Sequence, residues 1–451
     1  MNPRTVTLRY LGWCPGVESA ALFLPDRDLP NSKVAASLLV GLVVSFSGFL
    51  AAQQLLIVMG VTGEAWRVIN ESPSLVADGD SLHLFARVTT EGVGLSEPIE
   101  SSFKARIDLH GRLLERSETP GVGDAVVTGD GCWVLAYVSE GIKVVESRDG
   151  VSWGDPVTVA ENVGEEVSAL DDFLRSKEGF TTYEEPSLAI MGDGRLFLSF
   201  TGMKRFNLTT LDGYFYVNNS LGVYYSVRGL DGRWAAPRRV PGITPDSHLL
   251  DFSRTVEGKI RVPFPLEPSC FTLLDGRVGL VCLDGNAARD IVKGILFTVY
   301  DGSMWSAPRY LFHYKGRNPE VLTSPSRVGY YLAYDAVDHD RVEVTFTPDL
   351  ETWGRTWSFP VLDGHRRPGN AALCELADGT VVMVYERFPD LYISYSLDGV
   401  EWSIPERVER IVSDEALRVA GSNQVTFLSG LVGFAMGIAS IVIALNLFGR
   451  R

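Results

Sequence analysis

The sequence predicts an all-β, six-bladed β-propeller flanked by two transmembrane α-helices. Three observations carry this. A phrase of strand, tight turn and strand, the turn usually Asp-Gly, recurs six times between residues 64 and 412. A second phrase, Ser-x-Asp-Gly-x-x-Trp, follows several of these hairpins. Two long stretches without one charged residue bracket the array.

The N-terminal elements come first. Residues 1–33 form a tail with an apolar phrase, Leu11 to Asp26, in which Cys14 stands between Trp13 and Pro15. That phrase reads as a segment lying against a membrane surface, or as a contact site or reactive thiol. From Val34 to Gly63 there is no charge, with Lys33 before and Glu64 after. About 20 apolar residues cross a hydrocarbon core of about 30 Å, so 34–61 is expected to be transmembrane helix 1. The run follows a 33-residue tail and exceeds the roughly 7–15 apolar residues of a cleaved signal, which favours a retained anchor.

Residues 64–412 carry the repeats. Their hairpins begin at Ser72 (SPSLVADGDSLHLFA), Gly123 (GDAVVTGDGCWVLAY), Glu185 (EPSLAIMGDGRLFLSF), Glu267 (EPSCFTLLDGRVGLV), Asn318 (NPEVLTSPSRVGYYLAY) and Asn370 (NAALCELADGTVVMVY). Asp-Gly between alternating apolar runs signals a hairpin, because the tight turn needs φ > 0. The second phrase appears at Ser147 to Trp153 and Ser396 to Trp402. Weaker copies lie at Thr347 to Trp353, Asp301 to Trp305 and Asp231 to Trp234. Each precedes a short strand that carries or follows a proline. In these turns the Asp should bond turn N–H groups and the indole should pack between strands, a structural role. Four-stranded units of about 50 residues, repeated radially, make a propeller with protected edges. Counting the polar residues Ser72, Asp124, Glu185, Glu267, Asn318 and Asn370 as equivalent leaves one long interval, Glu185 to Glu267. Residues 242–266 carry extra apolar runs there, as an inserted hairpin or part of a further blade, so a seven-bladed count stays open. Cys270 and Cys282 flank the turn Asp275-Gly276 and read either as a cross-hairpin disulfide or as two buried thiols.

The second uncharged run, Val419 to Gly449, predicts transmembrane helix 2 over 421–448, followed by a tail at 449–451. Gly433 and Gly437 form a G-x-x-x-G step, and Gly41, Ser45 and Gly48 a comparable small face in the first span; such faces let helices approach closely. Arg4, Arg9, Arg27, Lys33, Arg450 and Arg451 outweigh the outer Arg67, Arg407, Arg410 and Arg418, which favours cytoplasmic termini. The expected topology is a two-pass cell-membrane protein with an extracytoplasmic propeller. Three sequons, Asn70, Asn207 and Asn218, lie in the outer segment. The chain has a formal net charge of −15. No basic stripe exists to neutralise phosphates, so nucleic acid is not an expected partner. The expected partners are the lipid bilayer, a surface glycan and a membrane protein. No metal-ligand spacing is present, and no cofactor is expected.

The Ser-x-Asp-Gly-x-x-Trp turns resemble Asp-boxes, and the outer domain resembles the sialidase (neuraminidase) superfamily of six-bladed propellers. The last repeat, Gly369 to Arg387, is similar to the sialidase stretch that leads into a strand ending in Tyr-Glu. The phrase Glu267 to Arg277 is similar to the segment holding the glutamate that polarises the catalytic tyrosine. The resemblance implies a three-Arg clamp on a substrate carboxylate, a neutral Tyr nucleophile activated by Glu, and a general acid. Arg87 and Glu91 stand where sialidases carry an Arg and the general-acid Asp, and Glu267 takes the activating position. The nucleophile slot, however, holds Asn370. Glu71-Ser72-Pro73 replaces the opening Arg-Ile-Pro, and the Arg expected after the fourth hairpin falls near Cys282-Leu283. Arg317, Arg341, Arg366 and Arg367 are candidates for one clamp position. The resemblance therefore implies a degenerate catalytic site.

On physical grounds alone, the first strands of a propeller line its channel and their starts gather at one mouth. That would assemble Glu71, Asp124, Glu184, Glu185, Glu267, Arg317, Asn318, Arg367 and Asn370 into a polar cup. With Arg87 added, these residues suit recognition of a surface glycan or a partner protein. The alternatives are a glycoside hydrolase using Glu267, Glu91 and Glu185, since paired carboxylates about 5–10 Å apart can cleave a glycosidic bond, and a scaffold subunit of a membrane complex.

Overall fold

The structure is a computed structural model, and it describes residues 5–7, 21–23, 66–92, 98–163, 181–210, 213–243, 266–286, 291–312, 316–336, 341–360 and 369–412. Both expected membrane spans, 34–61 and 421–448, lie outside the described residues, as do 244–265 and the tail around Cys14. Among the described residues no helix is long and apolar enough to cross a membrane.

The chain divides into two units. One unit, Met1–Arg67 with Glu91–Glu97 and Asp414–Arg451, contains the antiparallel pair β1 (Thr5–Thr7) and β2 (Ala21–Phe23). The other, Val68–Thr90 with Pro98–Ser413, carries the repeats.

Six antiparallel four-stranded sheets follow one another along the chain. Blade 1 is β3 (Trp66–Asp78), β4 (Ser81–Gly92), β5 (Ile99–Ile107) and β6 (Leu113–Glu118). Blade 2 is β7 (Gly123–Val127), β8 (Trp133–Val138), β9 (Gly141–Ser147) and β10 (Val157–Glu161). Blade 3 is β11 (Thr181–Ile190), β12 (Leu196–Thr210), β13 (Gly213–Arg228) and β14 (Arg238–Arg239). Blade 4 is β15 (Ser269–Thr272), β16 (Val278–Asn286), β17 (Ile291–Tyr300) and β18 (Arg309–Phe312). Blade 5 is β19 (Gly316–Ser324), β20 (Gly329–Ala336), β21 (Arg341–Thr347) and β22 (Thr356–Pro360). Blade 6 is β23 (Ala372–Glu375), β24 (Val381–Arg387), β25 (Asp390–Ser396) and β26 (Glu406–Arg407). Each blade comes from one continuous stretch of chain.

Why these strands form sheets is visible in the burial. β8 reads WVLAYV and β24 begins VVMVY, and both are buried nearly throughout. A strand covered on both faces needs apolar residues at successive positions, not alternate ones. Those faces meet between blades. Six apolar cores occur among the described residues, one for each pair of neighbours. Val76, Phe85 and Leu135 join blades 1 and 2; Val134, Leu198 and Phe200 join 2 and 3. Phe197, Val223 and Leu280 join 3 and 4; Val281, Phe297 and Leu332 join 4 and 5. Tyr331, Val344 and Met383 join 5 and 6. The last, with Leu84, Val88, Val382 and Val384, joins blade 6 to blade 1 and closes the ring. The described residues thus form a six-bladed propeller.

The Asp–Trp turns hold as expected. Asp149 accepts N–H bonds from Val151 and Ser152 at 2.8 and 2.7 Å, and Asp349 and Asp398 do the same for Glu351, Thr352, Val400 and Glu401. These bonds hold the Asp149 carboxyl well below the usual carboxylate range. The indoles of Trp153, Trp353 and Trp402 pack against the inter-blade cores.

The structure bears on three further readings. The long third interval is explained in part by β12 and β13, which pair continuously from Leu196↔Arg228 to Thr210↔Gly213 and so extend well past the other second-to-third-strand hairpins. Cys270 and Cys282 are free, buried thiols. Cys270 stands opposite Leu280, not Cys282, so the two are offset by two residues across the ladder. The sequon residue Asn70 is 5% exposed, and its side-chain oxygen accepts the Ile411 N–H, leaving no room for a glycan. The side chains of Asn207 and Asn218 lie outside the described residues.

Candidate functional site

The chain enters each first strand through a special residue. Ser72, Glu185, Glu267, Asn318 and Asn370 all have φ between 33° and 56°. Four of them precede proline, in Ser72-Pro73, Glu185-Pro186, Glu267-Pro268 and Asn318-Pro319. Proline restricts the residue before it, and a left-handed residue in an antiparallel pair makes a bulge. The register shifts there in both β11 and β19, between Glu184 and Ser187 and between Arg317 and Glu320. Five blades therefore start with the same bend, and these bends ring one mouth of the channel.

Asp124 does not belong to that tier. It precedes Asp130 of its turn by six residues, as Ser187 precedes Asp193 and Ser269 precedes Asp275. Asp124 thus lies two residues further along, level with Ser74, Ser187, Ser269 and Glu320. The sequence alignment slipped by one pleat because blade 2 has Gly123 where the others have proline or alanine.

The two tiers line a cavity of about 440 Å³ built by the first strands of all six blades. Its polar walls include Ser72, Asp124, Glu184, Glu185, Glu267, Asn318 and Asn370, with Arg87 from β4. Most of the predicted cup is therefore assembled. Arg317 stands beside it, donating to Glu267 Oε1 at 3.1 Å. The side chains of Glu71 and Glu91, and all of Arg366 and Arg367, lie outside the described residues. Arg341 pairs with Glu343 at 2.7 Å.

The acids of the cup are tied to neighbouring blades. Glu185 Oε2 accepts the Glu267 N–H at 3.1 Å and the Thr201 hydroxyl at 2.9 Å. Glu267 Oε2 accepts the Asn318 N–H at 2.6 Å. Asn318 Nδ2 donates to Asp335 Oδ2 at 2.5 Å. Asn370 Nδ2 donates to Glu386 Oε1 at 2.8 Å, and the Ser72 N–H reaches the same oxygen at 2.5 Å. Asp124 completes the circle, accepting from Ser74 Oγ of blade 1 at 2.9 Å and from the Leu188 N–H of blade 3 at 2.7 Å. A bend with positive φ directs its N–H out of its own ladder, and a buried N–H must find a partner. The carboxyl of the preceding blade supplies it.

Burial dominates the electrostatics. It pushes Glu185 up to about 8, with help from the Glu267 charge, and pushes Glu320 up to about 8. Asp335 rises to about 7, and Asp124 also rises. Burial raises Glu267 too, while Arg317 and the Asn318 N–H act in the opposite sense. At neutral pH Glu185 and Glu320 are therefore largely protonated. Burial thus lowers the anionic charge of the cup.

Glu320, Asp335 and Glu386 were not among the residues singled out from sequence. Two of them had a signal: Tyr334-Asp335 and Tyr385-Glu386 end the second strands of blades 5 and 6 with the same aromatic–acid pair. Glu320 follows the bend and proline of blade 5 as Ser187 and Ser269 follow theirs.

No tyrosine is among the described lining residues, and Arg87 is the one arginine there. Among the described residues no group of His, Cys, Asp and Glu is placed to hold a metal ion.

No family model matches the sequence, and no curated protein matches it. Solved structures of similar architecture include a mutant of the NanB sialidase from Streptococcus pneumoniae, at 8% identity over 79% of this chain and 89% of that one, with a TM-score of 0.43. The Trypanosoma rangeli sialidase is similar at 9% identity over 76% of this chain and 49% of that one, with a TM-score of 0.37. A mutant of AofleA from Arthrobotrys oligospora is similar at 10% identity over 78% and 95%, with a TM-score of 0.44.

Proposed function

We propose that the cup recognises a neutral, hydroxyl-rich ligand, a surface glycan, without hydrolysing sialosides. The observation that carries this is the engagement of the acids. Glu185, Glu267, Asp335 and Glu386 each spend an oxygen on another blade or on the bend beside it. They fasten the ring, and what they leave facing the cavity is a mixed field of carboxyl, hydroxyl and amide groups. Such a field suits sugar hydroxyls, and a cavity within about 300–1,000 Å³ suits a small ligand. A sialoside carboxylate would enter a site with several acids and, among the described lining residues, one arginine. Asn370 in the nucleophile slot has no acidic proton to lose and donates its amide to Glu386. In this reading, spans 34–61 and 421–448 anchor the chain in the cell membrane, termini inside, and present the propeller outside.

One observation favours a second reading, a glycoside hydrolase. Glu185 and Glu267 are neighbouring carboxyls, both raised by burial, and Arg317 opposes the rise at Glu267. Two neighbouring carboxyls in unlike surroundings can divide acid and base roles.

The test uses the full-length chain in lipid nanodiscs. Saturable binding of neutral oligosaccharides, weakened about tenfold or about 1.4 kcal/mol in Glu184→Gln, with no turnover of a fluorogenic sialoside, is expected. Turnover of a chromogenic neutral glycoside, lost in both Glu185→Gln and Glu267→Gln, would establish the second reading. Sialoside turnover would refute the first reading. Protease protection in sealed vesicles checks the topology: 64–412 should be cleaved from outside.

A further inference from the structure

Given the glycan reading of the cup and the spans 34–61 and 421–448 on which it rests, we infer that the cup looks toward the membrane that anchors the chain. Its ligand is then a neutral saccharide head group carried by a lipid of that same bilayer. Each first strand runs from the cup to its tight turn, as β3 does from Ser72 to Asp78. Each second strand therefore returns from the far mouth to the cup side. β24 ends there, and so does the turn Phe388-Pro389 that follows it. At this turn the chain both enters and leaves the wheel. The Asn70 N–H donates to the Pro389 carbonyl at 3.1 Å, and the Ile411 N–H donates to the Asn70 side chain at 3.3 Å.

The leads are too short to reach round to the other side. From Val61, where the first uncharged span ends, to Val68 there are seven residue steps. Fully extended, they cover at most about 25 Å. From Val68 to Asp78, β3 runs ten steps toward the far mouth, about 33 Å at the rise of a strand. A bilayer beyond the far mouth would require the lead to run back past the whole strand, and its length forbids that. The exit lead starts at the same point. Its ten steps from Ile411 to Gly421 hold the cup side within about 35 Å of the second span.

A mouth held close to a bilayer selects by geometry. A head group of a few sugars rises into it while the acyl chains stay in the hydrocarbon, so no lipid has to be extracted. Confinement to the same surface gives such a ligand the effective concentration of a tethered one. A polysaccharide, or a glycan on a facing membrane, approaches from the other side and meets the far mouth first. Charge narrows the class further. The described lining holds Asp124, Glu184, Glu185, Glu267 and Glu320 against one arginine, Arg87, which disfavours an anionic head group and suits a neutral one.

Full-length protein in nanodiscs tests direction and ligand separately. In a Cys14→Ser background the four remaining cysteines are buried, so one added cysteine takes a donor dye alone. Val138→Cys stands at the cup, where β8 ends, and Leu230→Cys at the far-face turn after β13; both positions are exposed. With an acceptor dye on the lipid, energy transfer from Val138→Cys should exceed that from Leu230→Cys at least twofold. Equal transfer, or more from Leu230→Cys, would overturn the proposal whatever the cup binds. For the ligand, a soluble neutral oligosaccharide is titrated calorimetrically in competition with the same saccharide on a glycolipid. The glycolipid should weaken the titration at least tenfold when it shares the protein's disc, and less than twofold at the same total concentration in separate discs. Equal competition from shared and separate discs would overturn the proposal. No binding of the saccharide in either form would instead sink the glycan reading and the head-group assignment with it, while the dye pair still reports which way the mouth faces.

Discussion

Replacing Asp124 separates a ring-fastening role from a ligand-binding one. Its carboxyl accepts from Leu188 N at 2.7 Å, Ser74 Oγ at 2.9 Å, Ala125 N at 2.9 Å and Ser187 Oγ at 3.3 Å. In Asp124→Ala the two serine hydroxyls can turn toward water in the cavity. The Leu188 N–H cannot, because that residue is 4% exposed. An orphaned buried donor costs about 1–3 kcal/mol, and each lost bond about 0.5–1.5 kcal/mol. The sum, with the hydroxyls discounted, is about 3 kcal/mol. Asp124→Asn keeps an oxygen for Leu188 and offers Ser74 an amide, but that amide faces the Ala125 N–H, so it should lose about 1–2 kcal/mol, less than the alanine variant. Urea unfolding of the full-length chain, followed by tryptophan fluorescence at constant slope, reads both. Equal losses in the two variants, or a loss below about 1 kcal/mol in Asp124→Ala, would show that the acid does not fasten the blades.

The raised carboxyls also predict a pH dependence. A folded pKa above the unfolded value means that the native state binds more protons, so stability is lost as pH rises. For Glu185, Glu320 and Asp335 the loss should accumulate from about pH 4 to about pH 8, and Glu320→Gln should flatten part of that slope in a series of unfolding midpoints. Arg317→Met removes the guanidinium beside Glu267 and leaves a buried carboxyl to protonate; it should destabilise by about 2 kcal/mol at alkaline pH and by less as the pH falls and the carboxyl takes up its proton. Asp398→Ala frees two turn N–H groups at the surface, where water replaces the carboxylate, and should cost about 1 kcal/mol in the same assay.

How much of this could be read from sequence differs by level. The blades were legible because hairpin turns and Asp–Trp turns have strict local chemistry: Asp-Gly supplies the positive φ, and Asp149, Asp349 and Asp398 bond N–H groups within three residues. Ring closure was not legible, since the core of Leu84 and Val384 joins residues 300 apart. The cup was legible as composition. Its physical meaning was not, because Glu185 and Glu386 act on the main chain of another blade and no local pattern records that. Asp124 was misplaced by two residues because Gly123 stands where a proline marks the bend in four other blades.

The pairing of Asn70 with Ile411 has a mechanical consequence. The Asn70 side chain accepts the Ile411 N–H, the Asn70 N–H bonds Pro389 of blade 6, and Arg410 grips Asp390 close by. Chain entering the wheel and chain leaving it are thus buckled together at one seam. A pull applied at the two ends of the wheel would load this buckle, between blades 6 and 1, before it loads the other four blades.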